Sequence, residues 1–153
     1  MRAVCFFGWK HPVNVLSIIR TADGFGFNEV ILTGRKKISL ADYPTAMAEY
    51  ENLQLRIITF NEPNQCIDYI KSTYSPVCFE LHKRAIPIYQ YEWPHNPCII
   101  VGHEREGVPQ RLLDISDIVF IPMANFIKCL NVGCCASIAM YDYVQKLQTR
   151  TGG

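Results

Sequence analysis

Short apolar runs alternate with longer segments of helical spacing from one end of the chain to the other. Ala3 to Phe7, Val30 to Leu32, Leu55 to Phe60, Val77 to Phe79, Cys98 to Val101 and Ile118 to Ile121 are continuous or nearly continuous in apolar residues, as strands covered on both faces tend to be. Between them, Asn14 to Phe25, Pro63 to Tyr74, Pro109 to Leu113 and Asn131 to Leu147 carry apolar residues at the period of an amphipathic helix. The alternation predicts the α/β class, a mostly parallel sheet flanked by helices. Asn61-Glu62-Pro63-Asn64 places a proline near the first turn of one helix, and Ser75-Pro76 ends that helix ahead of the next strand.

Two stretches depart from this pattern. Gly34 to Tyr50 is irregular and opens with Arg35, Lys36 and Lys37, which predicts an exposed loop or lid. From Asn131 to Ala139 the last helix carries Gly133, Cys134, Cys135, Ala136, Ser137 and Ala139, all small, and no charge before Asp142. A helix apolar all round is normally buried all round, so this one is expected to thread through its own domain or to pack against a partner subunit. There is no repeat, low-complexity stretch or linker, so residues 1–150 read as one domain, with Thr151-Gly152-Gly153 frayed at its end.

Composition narrows the picture. With 49% hydrophobic and 19% charged residues, the 153-residue chain is too apolar for a disordered protein. No stretch approaches the ~18 uncharged apolar residues of a spanning helix, and Lys10 and His11 interrupt the start before a signal-like core is complete. No membrane partner is expected. A net charge of +1 means that any RNA or DNA site must be a local patch. Seven cysteines are an odd number, and four of them lie inside apolar runs, as reduced core thiols of a cytoplasmic protein do. Cys129, Cys134 and Cys135 lack C-x-x-C spacing and a nearby histidine, which argues against a metal.

Three segments carry candidate chemistry. His11 to Gly26 follows the first strand, so Asn14 is expected to begin a helix at that strand's carboxyl end, with Arg20 six positions on. By itself this segment also reads as an N-cap asparagine and a solvated arginine. Ile99 to Pro109 is a buried strand ending at Gly102, then a turn bearing Glu104 and Gly107. Glycine there permits close approach of backbone to a flat ligand, although neither a dinucleotide fingerprint nor a P-loop is present. Ile121 to Gly133 is again a strand end, a polar loop and a helix opening at Asn131. Met123 and Leu130 could sandwich an aromatic ring or simply be core.

Taken in order, Asn14 with Ile18-Ile19-Arg20-Thr21-Ala22, Gly102-His103-Glu104-Arg105-Glu106-Gly107, and Ile121-Pro122-Met123 with Leu130-Asn131-Val132 resemble the three motifs of the SpoU (TrmH-like) branch of SPOUT RNA methyltransferases. The resemblance spans nearly the whole chain, whose length is similar to that of minimal, single-domain members. It implies a sheet with a deep C-terminal trefoil knot, a homodimer joined through its first and last helices, and S-adenosyl-L-methionine bound in the knot. It further implies methyl transfer to a ribose 2'-hydroxyl of RNA, with tRNA favoured over rRNA.

By position in the motifs, the resemblance implies catalytic roles for Arg20, Asn14, Glu104 and Asn131. Leu81, Gly102, Ile121, Met123, Cys129 and Leu130 fall where such enzymes hold the cofactor. Arginine is the family's proposed base, but a guanidinium is essentially always protonated, so Arg20 is better suited to orienting the hydroxyl and stabilising developing alkoxide, with proton removal open between Arg20, substrate phosphate and water. Cys129 stands where serine is usual. The alternative reading is a noncatalytic RNA-binding or assembly protein on the same scaffold. For RNA contact the clear basic groups are Arg35, Lys36, Lys37, Lys83 and Arg84, which a symmetric dimer would double.

Overall fold

The computed structural model describes residues 1–34 and 51–152. Most of the expected loop at residues 34–50, with Arg35, Lys36 and Lys37, lies outside the described residues. The strands are β1 (Ala3–Phe7), β2 (Glu29–Thr33), β3 (Arg56–Phe60), β4 (Ser75–Phe79), β5 (Ile86–Pro87), β6 (Pro97–Gly102) and β7 (Asp117–Phe120). They form one seven-stranded sheet in the order β3-β2-β1-β6-β4-β7-β5, and every pairing is parallel. The six strands expected from apolar runs are all present. The seventh, β5, is two residues long and holds Pro87, so it carries no periodic signal and sits at an edge, where a missing N–H is tolerated.

Continuous apolar runs arise because both faces of the sheet are covered. Along β1, Val4 and Phe6 point into one core, while Ala3, Cys5 and Phe7 point into the other. The first core holds Ile18, Ile19, Met140 and Tyr143; the second holds Cys66, Ile67, Ile70 and Leu112. Cys5, Cys66, Cys78 and Cys98 are free and buried in this second layer, and burial pushes the Cys5 and Cys98 thiols well up.

Among the described residues, four helices flank the sheet: α1 (Pro12–Gly24), α2 (Pro63–Thr73), α3 (Gln110–Asp114) and α4 (Val132–Thr151). Helix α1 buries Val15, Ile18, Ile19 and Ala22 in one stripe. Its start differs from expectation. Pro12 takes the first turn after an N-cap at His11, so Asn14 lies inside the helix and its side chain is released from capping. Helix α4 begins where expected, with Asn131 Oδ1 accepting N–H bonds from Gly133 (2.9 Å) and Cys134 (3.3 Å). It extends through Thr151, and the Gly152 N–H bonds to Gln148 O at 2.9 Å.

Burial all round α4 is not what its own chain provides. Val132, Gly133, Ala136, Ala139, Met140 and Tyr143 are buried, whereas Cys134, Ile138 (40% exposed) and Tyr141 (54%) face outward. The start of α4 packs on α1 instead, where a Cβ on Gly133 would stand in ordinary contact with Ser17 Oγ at 3.5 Å. The first charge of α4, Asp142, accepts the indole N–H of buried Trp93 at 2.8 Å and pairs with Lys146 at 2.9 Å. Lys146 in turn donates to the carbonyls of Ile88 (2.7 Å) and Tyr91 (3.1 Å). Hydrogen bonds to charged groups contribute about 1.5–3 kcal/mol each, so this network fastens the C-terminal helix to the segment before β6. Among the described residues, no helix is long and apolar enough to cross a membrane.

Candidate active site

The carboxyl ends of β4, β6 and β7 converge with the mouth of α4 around a cavity of about 130 Å³. Its walls come from residues 79–81, 101–104 with Gly107, 119–121, and 128–130 with Val132 and Cys135. Three separate strand ends and one helix opening thus share one hollow, the usual ligand position of a parallel sheet. Leu81, Gly102, Glu104, Ile121, Cys129 and Leu130, all singled out in the sequence, line it. Met123 does not; Leu130 shares the cavity with Leu81 and Ile121, and the chain bends at Asn125 and Phe126 between Met123 and Lys128.

The glycine turn explains how backbone reaches the cavity. Gly107 has φ +65°, and its N–H donates to His103 O at 2.7 Å, folding the chain back on the end of β6. The approach is so close that a Cβ on Gly102 would lie 2.6 Å from the Gly107 carbonyl carbon. His103 Nδ1 accepts N–H bonds from Arg105 (3.2 Å) and Glu106 (3.3 Å). Glu104 is thereby displayed, exposed, at the tip of the turn.

Asn14 and Asn131 come together although 117 residues separate them: Asn131 Nδ2 donates to Asn14 Oδ1 at 3.2 Å. The same Asn131 side chain caps α4 through its oxygen, so one amide joins both helix mouths. Neither asparagine lines the cavity, nor does Arg20, which is exposed on α1. Val13, Ser17, Arg20 and Gly24 form the exposed stripe of α1. Arg20 therefore does not face the cavity of its own chain.

Several lining residues escaped the sequence reading. Glu80 follows the apolar run of β4 directly, the same signal that placed Leu81, and its Oε1 accepts the Val108 N–H at 2.8 Å. Lys128 and Cys135 also line the wall, and burial pushes the Cys135 thiol up to about 12. Of the expected RNA contacts, Lys83 is exposed, whereas Arg84 Nη2 donates to Leu113 O at 3.1 Å and is partly committed to the end of α3. Among the described residues no group of three or more His, Cys, Asp or Glu is placed to hold a metal ion.

A sequence profile of the SpoU rRNA methylase family matches residues 1–141. The tRNA (guanosine(18)-2'-O)-methyltransferase of Escherichia coli K12 is 26% identical over 149 residues, covering 95% of this chain and 63% of that enzyme. The 23S rRNA (guanosine-2'-O-)-methyltransferase RlmB of Acinetobacter baylyi is 28% identical over 134 residues, covering 86% and 54%. The chain thus spans less than two-thirds of these relatives. Among solved structures, the SpoU methyltransferase AviRb of Streptomyces viridochromogenes in complex with AdoMet superposes with a TM-score of 0.80 at 22% identity, over 99% of this chain and 61% of that one. A structure concerned with 2-OH methylation of C/U34 on tRNA gives 0.81 at 18% identity, over 100% and 98%. At these identities the likeness shows a common fold.

Proposed function

The chain belongs to the SpoU rRNA methylase family, and from that premise we propose that it transfers the methyl group of S-adenosyl-L-methionine to a ribose 2'-hydroxyl of RNA. The observation that carries this reading is the convergence of the Gly102 turn, Ile121 and Leu130 on one cavity, with Asn14 and Asn131 bonded beside the helix mouths. A tRNA substrate is favoured over rRNA, with the Escherichia coli K12 relative matched over 95% of this chain being a tRNA methyltransferase. The proposal includes threading of the C-terminal segment as a trefoil knot, which the joining of residues 79–81 with residues 128–130, Val132 and Cys135 in one wall supports.

The residues fit such a donor. At Gly102 the space that a Cβ would fill is already taken by backbone, so the cavity wall there is bare main chain. Leu81, Ile121 and Leu130 offer apolar surface to flat rings, and Glu80 and Glu104 offer carboxylates to positive charge. S-adenosyl-L-methionine supplies, when bound, a methyl group already activated by its sulfonium. What remains for the protein is positioning of the hydroxyl and stabilisation of the charge that develops on it. Arg20 suits the second task, because a group that stays protonated offsets an alkoxide rather than taking up its proton. Lys83 and Lys128 supply cations for RNA phosphates.

Because Arg20 does not line its own chain's cavity, the proposed homodimer gives it a role: the exposed stripes of α1 and α4, with Val13, Ile138 and Tyr141, form the contact, and Arg20 serves the partner's cavity. Ile138→Asp is expected to halve the particle mass in light scattering and to abolish transfer with it. An unchanged mass removes this face from the interface.

The function is tested by incubating the purified chain with tritiated S-adenosyl-L-methionine and total RNA. Label is expected in RNA fragments resistant to alkali, because a 2'-O-methyl group blocks strand cleavage by its own ribose. RNA bound without label would favour the noncatalytic reading, to which the thiol of Cys129 in the cavity lends its support.

A further inference from the structure

We propose that Glu80, which belongs to none of the three motif segments, is a positioning residue for the donor cavity: it holds the Gly102–Gly107 turn against the opposite wall. The proposal rests on the methyl-donor reading above. Glu80 stands on a rigid base. Its own N–H donates to Val119 O at 3.1 Å, and the preceding Phe79 stacks on Trp93 with ring centroids 6.1 Å apart. Trp93 is fixed by Asp142, so the carboxylate is presented from a part of the fold that the C-terminal helix has locked.

From that base the Glu80 side chain crosses to the turn. The Val108 N–H that it accepts belongs to a residue only 6% exposed, so water is a poor substitute for the carboxylate. A Cβ on Gly107 would lie 2.5 Å from Glu80 Oε1, which shows how tightly the carboxylate sits against the turn. The Gly107 N–H and the His103 ring close the turn on itself, whereas the Glu80 bond ties it to the strand end that also carries Leu81. Without it, the wall bearing Gly102 and Glu104 loses its register with the wall bearing Leu81.

This bond needs an acceptor, and an amide oxygen supplies one as well as a carboxylate does. Titration of S-adenosyl-L-methionine into the full chain by calorimetry tests the assignment. Glu80→Ala is expected to weaken donor binding about tenfold, and Glu80→Gln to restore it to within about threefold of wild type, a rescue that a loss of general stability would not produce. Gly107→Ala pushes the carboxylate aside from the other direction, so adding Glu80→Ala to it should weaken binding no further. Wild-type affinity in Glu80→Ala overturns the role of Glu80 alone. Equal losses in Glu80→Gln and Glu80→Ala overturn positioning in favour of direct contact between the charge and the donor. No binding by wild type overturns the donor reading and this proposal with it.

Discussion

Arg20→Ala is expected to lower methyl transfer at least about a thousandfold while the Kd for S-adenosyl-L-methionine stays within about twofold of wild type. The two parts of this result have separate causes. Loss of rate follows because the variant removes a permanent positive charge from the place where an alkoxide would form, and stabilisation of developing charge is commonly the largest catalytic contribution. Donor affinity is retained because Arg20 does not line the cavity and lies exposed on α1, where alanine is also a good helix former. Transfer assays on saturating RNA and calorimetric titration of the donor report the two quantities independently. Loss of donor binding in Arg20→Ala would place the guanidinium in the donor site and undo the assignment.

Gly102→Ala is expected to weaken donor binding at least about a hundredfold and to lower unfolding free energy by about 2–4 kcal/mol. An added Cβ there meets the Gly107 carbonyl carbon at 2.6 Å, its oxygen at 2.8 Å and the Val108 nitrogen at 2.9 Å. All three are backbone atoms, so no side-chain rotation relieves the contact and the turn itself must move. Movement of Val108 also breaks its bond to Glu80, opening the cavity wall. Calorimetry and urea denaturation measure the two effects; an alanine variant that binds donor as wild type does would show that this turn is not the donor wall.

Together the two variants test whether Arg20 acts across an interface. A mixed dimer of one Arg20→Ala chain and one Gly102→Ala chain has one sound cavity, and that cavity receives its arginine from the Gly102→Ala partner. Random pairing on co-expression then restores about a quarter of wild-type activity, since half the dimers are mixed and each has one working site. An arginine acting within its own chain gives no restoration.

The cavity was legible in the sequence to the extent that its parts are local signals. Gly102, Ile121 and Leu130 sit at or beyond the ends of apolar runs, and Asn131 precedes a helical run, where an asparagine caps. Asn14 was misplaced because Pro12 outweighs it as a start signal: a proline in the first turn loses no hydrogen bond, and the helix begins there. Glu80 went unnoticed because nothing within a few residues needs a carboxylate; its partner amide lies 28 positions away. Met123 lies outside the cavity wall, and its neighbourhood in the sequence says nothing about how the chain runs on to Lys128.

Periodicity and punctuation are properties of neighbouring residues, and they were enough to determine the α/β class, the six longer strands, the helices and the order of the candidate motifs. The order of strands in the sheet, the bond between Asn14 and Asn131, the embrace of Glu80 and the Gly107 turn, and the outward direction of Arg20 depend on which distant segments pack together. Side-chain composition sets how much apolar surface must be buried, but only the assembled tertiary structure decides against what, because close packing and hydrogen-bond geometry are met by particular pairs of surfaces and not by either surface alone.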